Sequence, residues 1–169
     1  DLYSRLLKDR IVFLTGEINM SSANIIISEL LYLDSLNHEE ICLYINSPGG
    51  EVCSGFAIFD TIQFIKSDVR TIVVGMAASM AAFLLACGDK RCALENAEVM
   101  IHQPLGGIQG QATDIKIVAD HILKTKKKLI EILAKRTKKK TSILEVDMER
   151  DFYMDSKEAL AYGIIDEIL

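Results

Sequence analysis

A serine of this sequence lies where reactive chemistry would be favoured. Ser79 stands in the segment Gly75-Met-Ala-Ala-Ser-Met-Ala-Ala, whose small side chains let a substrate backbone come close. The pattern places it where a strand ends and a helix begins, and a helix N-terminus stabilises negative charge on a bound carbonyl oxygen. Taken alone, the segment favours a simpler role for Ser79, that of an N-cap.

One histidine is well placed to act as a base. His102 follows the apolar run Val99-Met-Ile and precedes a Gly-rich segment, so its imidazole should emerge at a strand end with open space beside it. The other two histidines fit this role less well. His121 falls among the lysines of a helical pattern and is interpreted as part of a solvated face, and His38 lies in a polar turn.

A double-glycine loop adds possible hydrogen-bond donors. Ser47-Pro-Gly-Gly follows the apolar run 41–46, and glycines there can present backbone N–H groups to an oxyanion, although alone the segment is more typical of a plain turn. Sites in α/β folds tend to form at the carboxyl ends of strands, so the loop, Ser79 and His102 should converge. Together they predict acyl transfer. Residue chemistry does not select the third member of a triad among the 24 acids, because triads are recognised by geometry.

The elements that must position these residues alternate between strand and helix. Apolar runs of strand length and segments of helical spacing follow one another: a strand after Arg10, a helix over 21–36, a strand over 41–46 and a helix over 53–65. Near the end come a short run, Phe152-Tyr-Met, and a last helix over 156–162 that Gly163 stops. This order predicts an α/β domain with largely parallel strands. It is not a Rossmann pattern, since no GxGxxG follows a strand.

The uncharged run Thr71–Gly88 is 18 residues long, near the lower limit for crossing a bilayer. A β-branched start gives way to an Ala- and Leu-rich end, which favours a strand over 71–74, a turn at Gly75 and then a helix. Five alanines and no tryptophan make it a weak membrane segment. We therefore expect it to be buried in the protein.

A long helix is predicted over residues 112–136, about twice the usual helix length. It exceeds what one small core needs, so part of it is expected to pack on another subunit. Positions 124–140 hold nine basic residues and one acidic residue, a net charge of +8 that leaves −13 for the rest. This asymmetry excludes a generally basic surface for nucleic acid.

The four cysteines, Cys42, Cys53, Cys87 and Cys92, form no CxxC pair and no metal-type spacing with histidine. We interpret them as buried free thiols of an intracellular protein.

With these residues in view, the sequence resembles the ClpP family, the proteolytic subunit of the ATP-dependent Clp protease, over essentially its whole length. The matching segments are Tyr44-Ile-Asn-Ser-Pro-Gly-Gly, Gly75-Met-Ala-Ala-Ser-Met-Ala-Ala-Phe-Leu-Leu, Met100-Ile-His-Gln-Pro-Leu-Gly-Gly with Gln109-Gly-Gln-Ala-Thr-Asp-Ile, and Glu149-Arg-Asp-Phe-Tyr-Met ending in Tyr162-Gly-Ile-Ile-Asp. The resemblance implies a single domain over 1–169 with the ClpP/crotonase-like fold and the long helix as a protruding handle. It also implies a serine endopeptidase that acts on unfolded polypeptides.

The resemblance also assigns catalytic roles. Ser79 would be the nucleophile, His102 the general base, and Asp151 the acid that orients the imidazole. Gly50 and Met80 would donate backbone N–H groups to the oxyanion.

Further roles concern binding. Val52 and Leu105 match positions that contact the substrate, which would bind as an added strand. Leu30, Tyr44 and Phe64 match the pocket that receives a loop of the partner ATPase.

The implied assembly is a tetradecamer of two stacked heptameric rings, fed by a hexameric AAA+ ATPase such as ClpX, ClpA or ClpC. Arg150 would lie near the contact between rings. No cofactor, metal, nucleic acid or membrane is implied, and the location would be cytoplasmic or within an organelle. The sequence begins just before its first predicted strand, where relatives carry axial loops.

Two alternatives stay open. The chain could be a non-catalytic scaffold subunit for an active paralogue, although such relatives usually lack a triad member. It could also be a crotonase-type acyl-CoA enzyme, which shares the paired N–H oxyanion hole but needs no Ser79–His102 pair.

Overall fold

A computed structural model describes residues 1–169 and contains seven helices and seven strands. The helices are α1 (Leu2–Lys8), α2 (Met20–Leu36), α3 (Val52–Phe64), α4 (Met80–Ala86), α5 (Ala112–Thr137), α6 (Thr141–Asp147) and α7 (Ser156–Tyr162). The strands are β1 (Ile11–Thr15), β2 (Ile41–Ser47), β3 (Val69–Ala78), β4 (Lys90–Ala93), β5 (Glu98–Ile101), β6 (Phe152–Asp155) and β7 (Glu167–Ile168). The predicted α/β class is confirmed. Helix α1 and strands β4 and β7 were not predicted.

All seven strands form one mostly parallel sheet. The main order is β1-β2-β3-β4-β7, and β5 pairs with the later part of β3. Only β6 runs antiparallel, alongside β5. Because β2, β3 and β5 are parallel neighbours, the residues that follow them all emerge at the same edge of the sheet.

Strand β3 is longer than predicted and changes its partner midway. It pairs with β4 over 70–73 and with β5 over 76–78. Gly75 does not end the strand. It has a φ of 79° at an irregularity where the register with β2 moves from Ile45–Val73 to Ser47–Ala77. The Asn46 amide oxygen accepts from the Met76 N–H there, at 3.3 Å. The predicted turn at Gly75 is therefore wrong, and the chain turns instead at Ser79.

Helix α4 explains the composition of the uncharged run. All seven of its residues are buried, between the sheet and the helices α3 and α5. Because the helix is enclosed, both its alanines and its larger side chains, among them Phe83 and Leu84, are apolar. The run is thus a strand and a helix in the protein interior, as predicted. None of the seven helices combines the length and apolar character needed to span a membrane.

Helix α5 packs on the core only through its second half. Its buried residues are Leu129, Ile130, Leu133 and Thr137. In its first half, Ile117 and Leu123 are each 61% exposed. The predicted bounds of this helix agree with the structure within one residue, and its first half leaves apolar side chains uncovered.

Arg91 fixes the far end of α5 to the sheet. Its guanidinium donates to both carboxylate oxygens of Asp166, at 2.6 and 3.0 Å, and to the carbonyl oxygens of Arg136 and Gly163. These hydrogen bonds hold the pKa of Asp166 below its usual value. The Arg91 side chain thus joins strand β4 to the end of α5 and to the turn after α7.

The four cysteines are free thiols, but only Cys87 and Cys92 are buried. Burial raises the pKa of the Cys87 thiol to about 12. Cys42 is half-buried and Cys53 is exposed, so the prediction of four buried thiols is wrong for these two. Cys53 lies in the first turn of α3 and lines a cavity between α3 and α5.

Candidate active site

Ser79 occupies a sharp turn between β3 and α4. Its φ of 57° and ψ of −123° are rarely adopted by residues other than glycine, and such a conformation costs about 1–3 kcal/mol. Its N–H donates to the Met100 carbonyl oxygen of β5 at 2.8 Å. Its side chain makes no capping hydrogen bond to α4. The N-cap interpretation of this hydroxyl is therefore wrong, and the strained turn aims Oγ away from the helix.

His102 lies within hydrogen-bond distance of this hydroxyl. Its Nε2 is 2.7 Å from Ser79 Oγ, and its side chain is 14% exposed. The pairing of Ala78 with Met100 explains the contact, because Ser79 and His102 follow these residues at the same edge of the sheet. The predicted convergence of a serine and a histidine at strand ends is what the fold produces.

Asp151 lies on the other side of the imidazole. Its Oδ1 is 3.2 Å from His102 Nδ1, and its side chain is 57% exposed. The antiparallel register pairs Ile101 of β5 with Phe152 of β6, so the residue after β5 meets the residue before β6. The structure thus brings the three predicted triad residues together, and their catalytic roles remain predictions.

Gln103 joins the histidine segment to the segment that carries Asp151. Its backbone N–H donates to the Met148 carbonyl oxygen at 2.7 Å, and its side-chain amide donates to the Glu149 carbonyl oxygen at 3.1 Å. This clamp was not predicted. A glutamine next to a candidate base carries no signal of its own, and its partners lie 45 or more residues away along the chain.

The arrangement is suited to moving a proton. With a proton on His102 Nδ1 donated to the Asp151 carboxylate, Nε2 is free to accept the proton of the Ser79 hydroxyl. The carboxylate then stabilises the charged imidazolium that results. This is the chemistry of an activated serine nucleophile.

The double-glycine loop packs directly against the Ser79 turn. Gly49 has a φ of 95°, and a Cβ there would lie 2.6 Å from the Ala78 carbonyl oxygen and 2.9 Å from Ser79 Cβ. The loop is fixed by backbone hydrogen bonds to Ile18, which accepts from Glu51 and donates to Gly49, each at 2.8 Å. Only glycine permits this approach.

Two backbone N–H groups near the serine have no partner in the chain. The Gly49 N–H is used by Ser47 Oγ, at 3.1 Å, whereas the Gly50 N–H donates to no group. Met80 is the first residue of α4, so its N–H has no acceptor within the helix and finds none elsewhere. These are the two predicted oxyanion donors, and both are available to a ligand.

Two neighbouring cavities open beside the serine. The smaller, about 30 Å³, lies against Ser79 and His102 and is otherwise mainly apolar. The larger, about 500 Å³, lies against the first turns of α3 and one face of α5. Val52 lines both cavities, and Leu105, which is 82% exposed, lines the larger one. Both predicted substrate-binding residues therefore border this region.

The residues predicted to dock an ATPase are not equivalent. Phe64 is 81% exposed, and Tyr44 is half-buried and stacks on Phe13 with ring centroids 5.7 Å apart. Leu30 is fully buried, because it lies on the inner face of α2 with Ile26. Within one chain its side chain therefore presents no surface, and its assignment as a docking residue stays a prediction.

Arg150 is exposed, and its role between rings stays a prediction. No group of three or more His, Cys, Asp or Glu side chains is arranged to hold a metal ion.

The family model described as Clp protease matches residues 1–169, the whole chain.

Proposed function

Since this chain belongs to the Clp protease family, we propose that it is a serine endopeptidase with Ser79, His102 and Asp151 as its triad. The family itself supports a peptidase of the ClpP type, and the finer assignment rests on one observation. His102 Nε2 lies 2.7 Å from Ser79 Oγ while Nδ1 faces Asp151 at 3.2 Å. An acyl-CoA enzyme would not need this pair.

In the proposed mechanism, Ser79 Oγ attacks the carbonyl carbon of the scissile peptide bond as its proton moves to His102 Nε2. The Gly50 and Met80 N–H groups donate to the oxygen that becomes negative. His102 then gives its proton to the leaving amine, and the C–N bond breaks to leave an ester on Ser79. Water, deprotonated by His102, hydrolyses that ester and restores the serine.

The proposal includes an assembly, because the chain leaves large apolar side chains uncovered. Met20, Ile25 and Tyr32 of α2 and Ile117 and Leu123 of α5 are each more than half exposed. Uncovered apolar side chains on two helices are consistent with contacts between subunits. The proposed assembly, which follows from the family resemblance, is two stacked heptameric rings that enclose the sites, with unfolded chains fed by an AAA+ ATPase.

The remaining site assignments are carried in the same proposal. Val52 and Leu105 would contact the substrate, Tyr44 and Phe64 the ATPase, and Arg150 the opposite ring. A cytoplasmic location is proposed with them, since free thiols persist in reducing compartments.

Labelling with a fluorophosphonate tests the catalytic assignment. We expect one adduct per chain at Ser79, and Ser79→Ala should abolish both labelling and cleavage of a short fluorogenic peptide. Ser28→Ala is the matched control, because that exposed hydroxyl only donates to the Asn24 carbonyl oxygen within α2.

Native mass measured on the same samples reports the assembly. A ring assembly that neither labels nor cleaves would overturn the proposal and favour the scaffold role. In that case, mixing with a catalytic subunit should give activity that Ser79→Ala leaves unchanged.

A further inference from the structure

The larger cavity beside the candidate active site has a composition that suits one class of side chain. It adjoins the small cavity at Ser79 and His102, and the two share Val52 and Pro104 in their walls. A peptide held at the serine can therefore extend a neighbouring side chain into it. Its volume of about 500 Å³ lies within the range of ligand-binding cavities.

The inner wall of this cavity is apolar. Phe56 of α3, Ile122 of α5 and Leu105 of the loop after β5 contribute hydrocarbon surface. The loop approaches α5 closely, since a Cβ built at Gly106 would lie 2.6 Å from Ile122 Cδ1. Methylene groups of an entering side chain would be buried here.

The rim is basic. His121, Lys124 and Lys128 line the cavity from α5, where steps of three and four residues place side chains on one face. Lys128 Nζ lies over the Phe56 ring, 4.7 Å from its centroid, so its ammonium directly adjoins the apolar wall. No Asp or Glu lines the cavity.

The two lysines of the rim carry charge that the chain does not neutralise. Neither Lys124 nor Lys128 has a carboxylate within 4.0 Å. Asp120 binds Lys116 at 2.7 Å and Glu131 faces Lys127 at 4.0 Å. Glu51, the residue before α3, accepts from the Ser54 hydroxyl at 2.7 Å.

We propose that this cavity is a subsite for a glutamate side chain of the peptide substrate. The two methylenes of glutamate match the apolar wall, and its carboxylate reaches the ammonium groups at the rim. Leucine would satisfy only the wall and lysine would be repelled by the rim, so the subsite gives selectivity by charge. The inference rests on the proposed function and specifies its substrate preference.

The test compares glutamate with glutamine, which has nearly the same shape and no charge. Internally quenched peptides that carry Glu or Gln at each position from three before to three after the cleaved bond are assayed for kcat/KM. At one position we expect Glu to be favoured by about three- to tenfold at low salt, and less so as salt rises. Lys124→Met/Lys128→Met should bring that ratio close to one, since methionine keeps the apolar stem.

Lys127→Met is the matched control, because Lys127 is 79% exposed and does not line the cavity. It should leave the Glu to Gln ratio unchanged. Binding of fluorescein-labelled forms of the same peptides to Ser79→Ala, followed by anisotropy, measures the preference without cleavage.

The outcomes separate the two proposals. Equal kcat/KM and equal binding for Glu and Gln at every position would overturn the subsite and leave the peptidase intact. A preference that persists in the double lysine variant would also overturn it. Glu-selective binding by a protein that cleaves no peptide would support the subsite while the peptidase assignment fails.

Discussion

Replacing Asp151 tests how much an exposed carboxylate contributes to the proposed triad. Opposite unit charges about 4 Å apart attract by about 1 kcal/mol in water and about 4 kcal/mol near a protein surface. Asp151 Oδ1 lies 3.2 Å from His102 Nδ1, but the side chain is 57% exposed, which keeps its effect well below that of a buried acid. We therefore expect Asp151→Asn to lose about 1.5–3 kcal/mol of transition-state stabilisation, or about 10- to 100-fold in kcat/KM.

We expect Asp151→Asn to disturb the orientation of the His102 imidazole less than the same change would in a buried triad. In a closed site an asparagine amide can lock the histidine in the wrong tautomer, at a cost of about 10⁴-fold in kcat. At this exposed position the amide can rotate and present its oxygen to Nδ1. A variant as inactive as Ser79→Ala would refute the solvent-screening argument, and one within twofold of the parent would remove Asp151 from the triad.

The assay is the initial rate of cleavage of a short fluorogenic peptide, with native mass to verify equal assembly. Glu149→Gln is the control. Its carboxylate is also exposed and near the site, but it faces Lys126 at 3.7 Å rather than the imidazole. We expect it to stay within about twofold of the parent, because a screened surface pair contributes little.

Two further predictions concern the framework of the site. Gly49→Ala should lose at least about tenfold in kcat/KM and about 1–3 kcal/mol in the free energy of unfolding, because its φ is 95° and the new Cβ would meet the Ser79 turn; unchanged rates and urea midpoints would contradict this. Asp166→Asn should lower the free energy of unfolding by about 1 kcal/mol at pH 7. The pKa of Asp166 is lowered in the folded state by Arg91, so its contribution is present above the ordinary pKa and lost as the pH falls through the lowered one. Urea titrations should therefore show the difference between the two proteins shrinking as the pH falls below the ordinary pKa of an aspartate, and a constant difference would count against the ion pair.

Several of the regular elements could be predicted from the sequence because they carry a local signal. Helices α2, α3 and α5 begin and end within one residue of the predicted bounds, since apolar spacing and turn residues mark them. Strand β3 shows where a local signal fails. Glycine favours turns, but β3 continues past Gly75. It does so because β3 pairs with β2 on one side and with β4 and then β5 on the other. That pairing is a long-range property which no window of the sequence contains.

Some residues of the candidate site could likewise be predicted from local signals, and others could not. Ser79 and His102 could be identified as residues that follow parallel strands, and parallel neighbours bring such positions together. Asp151 could be assigned only through the family resemblance. It precedes an antiparallel strand, so its place beside His102 depends on the register of β5 with β6, which the sequence does not encode locally.

Leu30 shows what a family resemblance does not carry. A resemblance transfers a position but not its exposure, and here the side chain turns inward on α2. Its neighbours at helical spacing, Ile26 and Leu33, are buried with it, and this periodicity was present in the sequence. The spacing along α2 thus predicts a core position for Leu30, independently of any role in docking.

The two halves of the candidate site are held by interactions of different strength. Several interactions hold the Ser79 turn in place: the pairing of β3 with β5, the buried helix α4 and the close packing of Gly49. A strained backbone conformation persists only where its surroundings fix it in this way. Asp151 is fixed mainly by one short antiparallel ladder and by the hydrogen bonds of Gln103, at an exposed edge. Substitutions at the serine half should therefore lower stability and rate together. Substitutions at the aspartate half should lower the rate while leaving the fold intact, because stability is lowest where few buried contacts hold the chain.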